Sequence, residues 1–391
     1  MPNQDFNQRC HEVVEQLTTS GQLKPFYELT TPMRPVVQIK GKGEVLVLCA
    51  NNYLGLADHP EVIQAGIQGL KDYGAGTASV RFICGTLDCH RQLEHQIAKF
   101  VGTESSLSYV SCWNANEAVF PTLAVEGDIL LSDELNHASI IDGCRLVSKK
   151  VEKQVYKHSD LVDLEQKLKA SMDKRCRWVI TDGVFSMEGD VAKLPELIAL
   201  CERYEALLVL DDSHGIGVLG KHGRGTPEHF DCLGRVDIIT GTLGKALGGA
   251  AGGYVAASKR TIEVLEQKAR PSLFSNALPA TVAYSASKAI QVLQEDPSIV
   301  ARLHANVATL RKGFADLGFA CADSPTAIIP IMIGDEAETL RKSARLFELG
   351  VMAIGFGFPV VPRGEARIRV QVSAALTDAH LQQALDAFAN L

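Results

Sequence analysis

A lysine set among glycines and hydroxyls is the residue with the most evident chemistry in this chain. It lies in Thr240-Gly-Thr-Leu-Gly-Lys245-Ala-Leu-Gly-Gly249, directly after an apolar run that reads as a buried strand. Desolvation lowers the pKa of an amine, and a free amine attacks an aldehyde to form a Schiff base. Thr242 stands three residues earlier, within reach of a phosphate oxygen. A nucleotide P-loop would need GxxxxGK followed by Ser or Thr; here the spacing is GxxGK and Ala246 follows. A glycine-rich turn with an incidental lysine is the plain alternative.

Four other segments give that lysine company. Asp211, in LLVLDDSHGIG (207–217), stands at the carboxyl end of an apolar strand, where α/β sheets place their ligands. A carboxylate there can pair with the pyridinium nitrogen of pyridoxal phosphate (PLP) and keep the ring an electron sink. His214, three residues on, can reach the 3-hydroxyl of the same cofactor. A helix cap by Asp211 or Asp212 is the structural alternative. His137, in Leu135-Asn-His137-Ala-Ser, also follows an apolar strand and can stack on the pyridine face, although a histidine taken alone is more often structural. At Ser111-Cys112-Trp113 a strand turns into a helix, whose free backbone N–H groups make an anion site for the cofactor phosphate; ordinary capping by Ser111 is the alternative. Arg367 and Arg369 share one face of a strand. A guanidinium there can grip a substrate carboxylate bidentately, unless the face is simply solvated. The histidines and cysteines show no HxxxH or CxxC spacing, so no metal site is expected.

The elements that must position these residues alternate. Residues 5–19 read as an amphipathic helix with Phe6, Cys10, Val13, Val14 and Leu17 on one face, followed by an irregular, proline-bearing arm to about residue 45. Such an arm often packs on another subunit. A strand is expected at 44–50, a helix from Pro60 to about Tyr73 capped by Asp58, a glycine-rich loop at 74–85 and a helix at 88–101. Strands then follow at 106–110, 128–133, 151–157, 177–184, 206–212, 236–243 and 252–258, with amphipathic helices between most of them. That alternation predicts an α/β fold with a large, mostly parallel sheet covered on both faces. A long helix at 279–295 is expected to cross to a smaller α+β layer: helices at 297–317, 336–348 and 377–389, and strands at 328–333, 351–355 and 366–373. The expected divisions are 1–45 (helix and arm), 46–280 (large PLP-binding domain) and 281–391 (C-terminal small domain).

The bulk properties fit this organisation. A chain of 391 residues with 46% hydrophobic and 22% charged residues can bury a large core. Net charge is −7 without a basic stripe, which argues against nucleic acid as a partner. No apolar run approaches the roughly 18 residues of a membrane span, and the N-terminus lacks the apolar stretch of a signal peptide. The 10 cysteines are unclustered, as in a cytoplasmic protein with reduced thiols.

Longer runs carry a family. Ala50-NNYLGL-Ala57, SVRFICGT (79–86), NHASIIDG (136–143), TDGVFSM (181–187), DDSH (211–214), GRVDIITGTLGKALGGA (234–250), RP-x-LFSN (270–276) and PVVP-x-G-x-ARIR (359–369) resemble the α-oxoamine synthases, fold-type I PLP transferases, from end to end. The resemblance implies that Lys245 carries PLP as a Schiff base. It implies that Asp211 meets the ring nitrogen, His214 the 3-hydroxyl and His137 the ring face, with Ser186 beside the cofactor. Ser111, Cys112, Trp113 and Thr242 would hold the phosphate, and Phe274 and Ser275 would reach the phosphate of the other subunit in a homodimer. Asn51 and Arg369 would hold the amino acid's carboxylate. The implied reaction condenses an amino acid with an acyl-CoA. The match is strongest to members that join glycine to an acetyl group. Family chemistry of the 8-amino-7-oxononanoate or sphingoid-base type, and a PLP aldolase or aminotransferase on the same fold, remain open. Three segments depart from the family pattern: Trp113-Asn-Ala-Asn-Glu-Ala118 stands for F-D-A-N-G-G, Gly355-Phe-Gly357-Phe358-Pro for G-F-F-Y-P, and Leu376 for a histidine. A glycine at 357 in place of a bulky ring is expected to open space for a different acyl donor.

Overall fold

The computed structural model describes residues 3–322 and 324–391, so the first two residues of the expected N-terminal arm lie outside it. A seven-stranded sheet runs in the order 105–109, 253–257, 238–242, 207–211, 177–182, 129–133, 152–156. All neighbours are parallel except Gly253–Ala257, which is antiparallel to both strands it lies between. The mostly parallel sheet is the one expected. Its central strands, such as Leu207–Asp211, read as apolar runs because both faces are covered, while the edge strand Glu152–Tyr156 is largely exposed. Ile129 and Leu131 join one core while Leu130 joins the other, and Leu208 and Leu210 alternate with Val209 in the same way. This period of two follows from side chains pointing to opposite faces of a strand.

The parallel strands deliver their polar last residues to one edge. Asp182 lies opposite Asp211 in the ladder, and Asp211 opposite Thr240. The helix Ala280–Glu295 packs along the helices Pro60–Tyr73 and Asp88–Val101. Gly69 makes that approach possible, since a Cβ there would sit 2.9 Å from the Ala280 carbonyl oxygen. Beyond it lies the smaller C-terminal domain. Strands Ile328–Gly334, Ala366–Gln371 and Ile354–Phe356 form an antiparallel sheet, accompanied by the helices Ser298–Asp316, Glu336–Glu348 and Asp378–Ala389.

Several local expectations need correction. The arm contains a hairpin, Val36–Ile39 with Gly43–Val47, whose turn uses Gly41 and Gly43 at positive φ and whose Val37, Ile39 and Val45 are buried. The strand expected at 351–355 breaks at buried Ala353: Val351–Met352 runs parallel to Leu46–Val47, while Ile354–Phe356 pairs with Arg367–Arg369. Asp58 does not cap the helix that starts at Pro60. It lies in a short 3-10 turn and pairs with Arg34. Residues Arg81–Gly85 form a π-helical turn rather than an open loop, because the Arg81 guanidinium turns inward onto buried Glu94. Two helices, Lys259–Lys268 and Arg270–Phe274, follow the last strand of the main sheet. The helix Gln4–Thr19 forms as expected but buries none of its residues. Among the described residues, no helix is long and apolar enough to cross a membrane.

Candidate active site

Lys245 follows strand Ile238–Thr242 at the polar edge of the sheet. Its Nζ lies 2.8 Å from His214 Nε2, and His214 Nδ1 lies 2.8 Å from the hydroxyl of buried Tyr53. Gln371 Nε2 donates to the Tyr53 oxygen at 2.9 Å and also to Asn51 Oδ1. Tyr53 in turn donates to Asn51 at 3.4 Å. With the Tyr53 proton on Asn51, His214 donates from Nδ1 to Tyr53 and leaves Nε2 as the acceptor for Lys245. Burial lowers the pKa of Lys245, with the charge of Asp211 working against that shift. Burial, and then the charge of Lys245, holds His214 well below its ordinary value, so the imidazole stays neutral. Burial also pushes the Tyr53 phenol up to about 12, so it remains a hydroxyl.

Asp211 closes the opposite side. One oxygen accepts from Ser213 N at 2.9 Å; the other accepts from Asn116 Nδ2 at 2.7 Å and from Cys112 Sγ at 3.7 Å. Burial, reinforced by Asp211, raises the Cys112 thiol well above its ordinary pKa, so it stays a donor. Asn116 is itself fixed: its amide also reaches Ser139 at 2.9 Å, and its carbonyl accepts from Thr240 at 2.8 Å. His137 caps the helix Ala138–Arg145 through Ser139, and its backbone N–H donates to Asp182 at 2.7 Å. Its ring is solvent-exposed, with Trp113 edge-on at 6.1 Å between centroids.

Ser111 is the N-cap of helix Cys112–Leu123 and takes the Asn114 amide. The first turn of any helix leaves further N–H groups for an anion, here those of Cys112 and Trp113. Thr242 stands nearby, with its hydroxyl donating to Gly252 O at 3.2 Å. Arg369 donates to the carbonyl of Ser186 at 3.0 Å and packs over Phe356. Its Nε is buried with no hydrogen-bond partner. Arg367 is different: it pairs with Glu188 at 3.3 Å and Glu365 at 3.1 Å, so the two arginines do not form a solvated face. Phe274 and Ser275 end the helix Arg270–Phe274, where Phe274 is 71% exposed and stacks with Arg270. Among the described residues, no hydrogen bond links them to Lys245.

Hydrogen bonds thus link Lys245 to His214 and Asn51, and Asp211 to Cys112. The segment reading did not find Tyr53, Gln371, Asn116 or Asp182. Gln371 carried a signal, since it lies two residues after Arg369 on the same strand face. Tyr53 sits 318 residues from Gln371, a separation no local pattern reports.

The departures also have a structural form. Trp113 Nε1 and Asn114 Nδ2 both donate to the Glu117 carboxylate, at 2.8 and 3.3 Å, so these substitutions act as one unit. Gly357 leaves little open space: a Cβ there would lie 3.1 Å from Glu336 Cγ, so that side chain lines the volume and must give way to anything larger. Leu376 is buried in the core.

Residues 43–388 match the family Aminotransferase class I and II. The chain belongs to that family. Within it, the chain is 43% identical to 2-amino-3-ketobutyrate coenzyme A ligase of Salmonella typhimurium, over 99% of this chain and 97% of that protein. It is 46% identical to 8-amino-7-oxononanoate synthase of Symbiobacterium thermophilum, over 97% and 96%. Among solved structures of the same fold, SPT with a PLP internal aldimine superposes with a TM-score of 0.92 at 29% identity, covering 99% of this chain and 97% of that one.

Proposed function

We infer that this member of the aminotransferase class I and II family is a PLP-dependent acyltransferase that condenses glycine with a short acyl-CoA, acetyl-CoA foremost, to give an α-amino-β-keto acid and free CoA. The observation that carries the reading is the pairing of Lys245 with neutral His214 at 2.8 Å, in the field of Arg369, whose Nε is buried and unpartnered. A buried guanidinium with an open donor suits a carboxylate. An amine whose pKa is lowered by burial suits both anchoring an aldehyde and taking a proton.

The residues present fit PLP: a buried carboxylate at a strand end for the ring nitrogen, a helix N-terminus for the phosphate, an exposed imidazole for the ring face and a lysine for the aldehyde. When bound, PLP supplies a sink for the electron pair left on the carbon next to the amino group. Lys245 is the covalent anchor and, once free, the base that takes the glycine α-proton. His214 keeps its lone pair toward Lys245 because Tyr53 holds the proton on Nδ1. Asp211 faces the ring nitrogen, and Asn116 holds its carboxylate in place. Ser111, the Cys112 and Trp113 amides and Thr242 are the phosphate contacts, with Ser186 and His137 beside the ring. Arg369 and Asn51 hold the carboxylate of glycine. Phe274, exposed like Phe82 and Ile83, and half-buried Ser275 face a second subunit in a cytoplasmic homodimer with shared sites. The names of the relatives support PLP-type acyl transfer with either of two outcomes.

The test is thiol release from acyl-CoAs of increasing chain length with glycine, alanine and serine. Preference for glycine with acetyl-CoA is the expected result. Release only with alanine and a long, carboxylate-ended donor overturns the glycine assignment, and no release with any pair overturns acyl transfer.

A further inference from the structure

His158, just past strand Glu152–Tyr156, lies between two carboxylates. Its Nδ1 is 2.9 Å from Asp133 Oδ1 and its Nε2 is 3.0 Å from Asp190 Oδ2. A carboxylate only accepts, so both ring nitrogens carry protons and the ring is an imidazolium. Burial alone would lower its pKa, but the bonds to Asp133 and Asp190 outweigh burial and bring it up to about 10. It is therefore a fixed cation across physiological pH. Glu134, which accepts the backbone N–H of His158, and Glu188 are the other acidic groups near it.

The two carboxylates belong to different sides of the site. Asp133 is buried at the end of strand Ile129–Asp133 and also accepts from Leu135 N at 2.9 Å and Ser159 N at 3.0 Å, which fixes the segment leading to His137. Asp190 closes a narrow loop. Its carbonyl accepts from Phe185 N at 3.1 Å, and Val184 bridges Val191. Phe185 meets the His158 ring edge-on at 4.4 Å. The tip of this loop presents the Ser186 carbonyl to Arg369 and the Met187 carbonyl to Arg367.

We propose that His158 is a positioning residue for the amino-acid substrate: its imidazolium staples the loop 184–191 to the end of strand 129–133, and the stapled loop aims Arg369 through the Ser186 carbonyl. This rests on the reading of Arg369 as the carboxylate grip. The staple touches neither Lys245 nor Asp211, so although its loop carries Ser186 and its Asp133 side leads to His137, its larger effect falls on substrate capture rather than on cofactor retention.

The experiment uses the PLP-loaded enzyme without acyl-CoA. Glycine affinity is read from the change in cofactor absorbance, cofactor affinity from PLP titration of the stripped protein, and loop opening from amide exchange of peptides covering 184–190. His158→Gln is expected to raise the glycine dissociation constant about tenfold or more and to speed exchange of the loop, with PLP affinity within twofold of wild type. Asp190→Ala leaves His158 paired with Asp133 and removes the acceptor on the loop, so it serves if His158→Gln fails to fold, with the same expected direction. A glycine affinity unchanged in either folded variant, or a loss of PLP affinity that parallels the loss of glycine, overturns the proposal. A wild type that responds to none of glycine, alanine and serine overturns the reading of Arg369 and this inference with it. Responsive wild type with matching variants overturns the inference alone.

Discussion

Replacing Tyr53 with phenylalanine removes one oxygen and leaves the ring packing intact. That oxygen accepts from His214 at 2.8 Å and from Gln371 at 2.9 Å, and donates to Asn51 at 3.4 Å. Gln371 keeps its bond to Asn51, so two buried donors, His214 Nδ1–H and the second N–H of Gln371, lose their acceptor. Each such group costs about 1–3 kcal/mol. The protein can avoid the cost at His214 by moving the histidine proton to Nε2, where it points at Lys245 and favours the neutral amine. Two results are expected together. Thermal unfolding should occur a few degrees lower. The kcat for thiol release with glycine and acetyl-CoA should fall about tenfold, the factor that corresponds to ~1.4 kcal/mol, with the pH–rate limb of Lys245 moving to lower pH. Assays across a pH series beside a melting scan read both. A melting point that drops while kcat stays within twofold at every pH would refute the relay and leave Tyr53 a packing residue.

Glu94, almost fully buried against Arg81 at 2.7 Å, supplies a pH test. Burial pushes its pKa up, but Arg81 outweighs burial, and the folded value lies below the ordinary 4.5. The sign follows: the pair's contribution is complete above pH 4.5 and is lost as pH falls through the lowered value. Glu94→Gln should cost about 3–5 kcal/mol in urea unfolding at neutral pH and flatten the fall in stability below pH 4.5; a variant with wild-type acid sensitivity would contradict this. Gly357→Phe should destabilise the protein because Glu336 lines the space, and Glu336→Ala in the same chain should recover most of the loss. Equal melting points for Gly357→Phe with and without the second change would show that the volume is not shared.

The positions of the Lys245 group were legible because each residue sits in a short motif at a strand end, and strand ends follow from apolar periodicity. Asp211, His214 and Lys245 need only one βα unit to meet. The supporting residues were illegible for the opposite reason. Asn116 reaches Asp211 from another strand–helix unit, and Gln371 reaches Tyr53 from the far end of the chain. The hairpin at 36–47 was hidden by a stretch whose prolines read as irregular arm. Gly357 misled because a missing side chain looks like space, until Glu336 is seen to line it.

The strand Gly253–Ala257 sits second in the sheet although it is the last of the seven in the chain. Its neighbour Ser105–Tyr109 is the first, so the sheet acquires its edge only when the latest strand slides beside the earliest. At a synthesis rate of about 5–20 residues per second, roughly 7–30 s separate the emergence of the two. During that interval Leu107 and Tyr109 have no partner strand. A nascent chain of this protein therefore lacks this edge for roughly 7–30 s, the state most in need of chaperone cover. Truncation anywhere before residue 257 should leave an aggregating fragment.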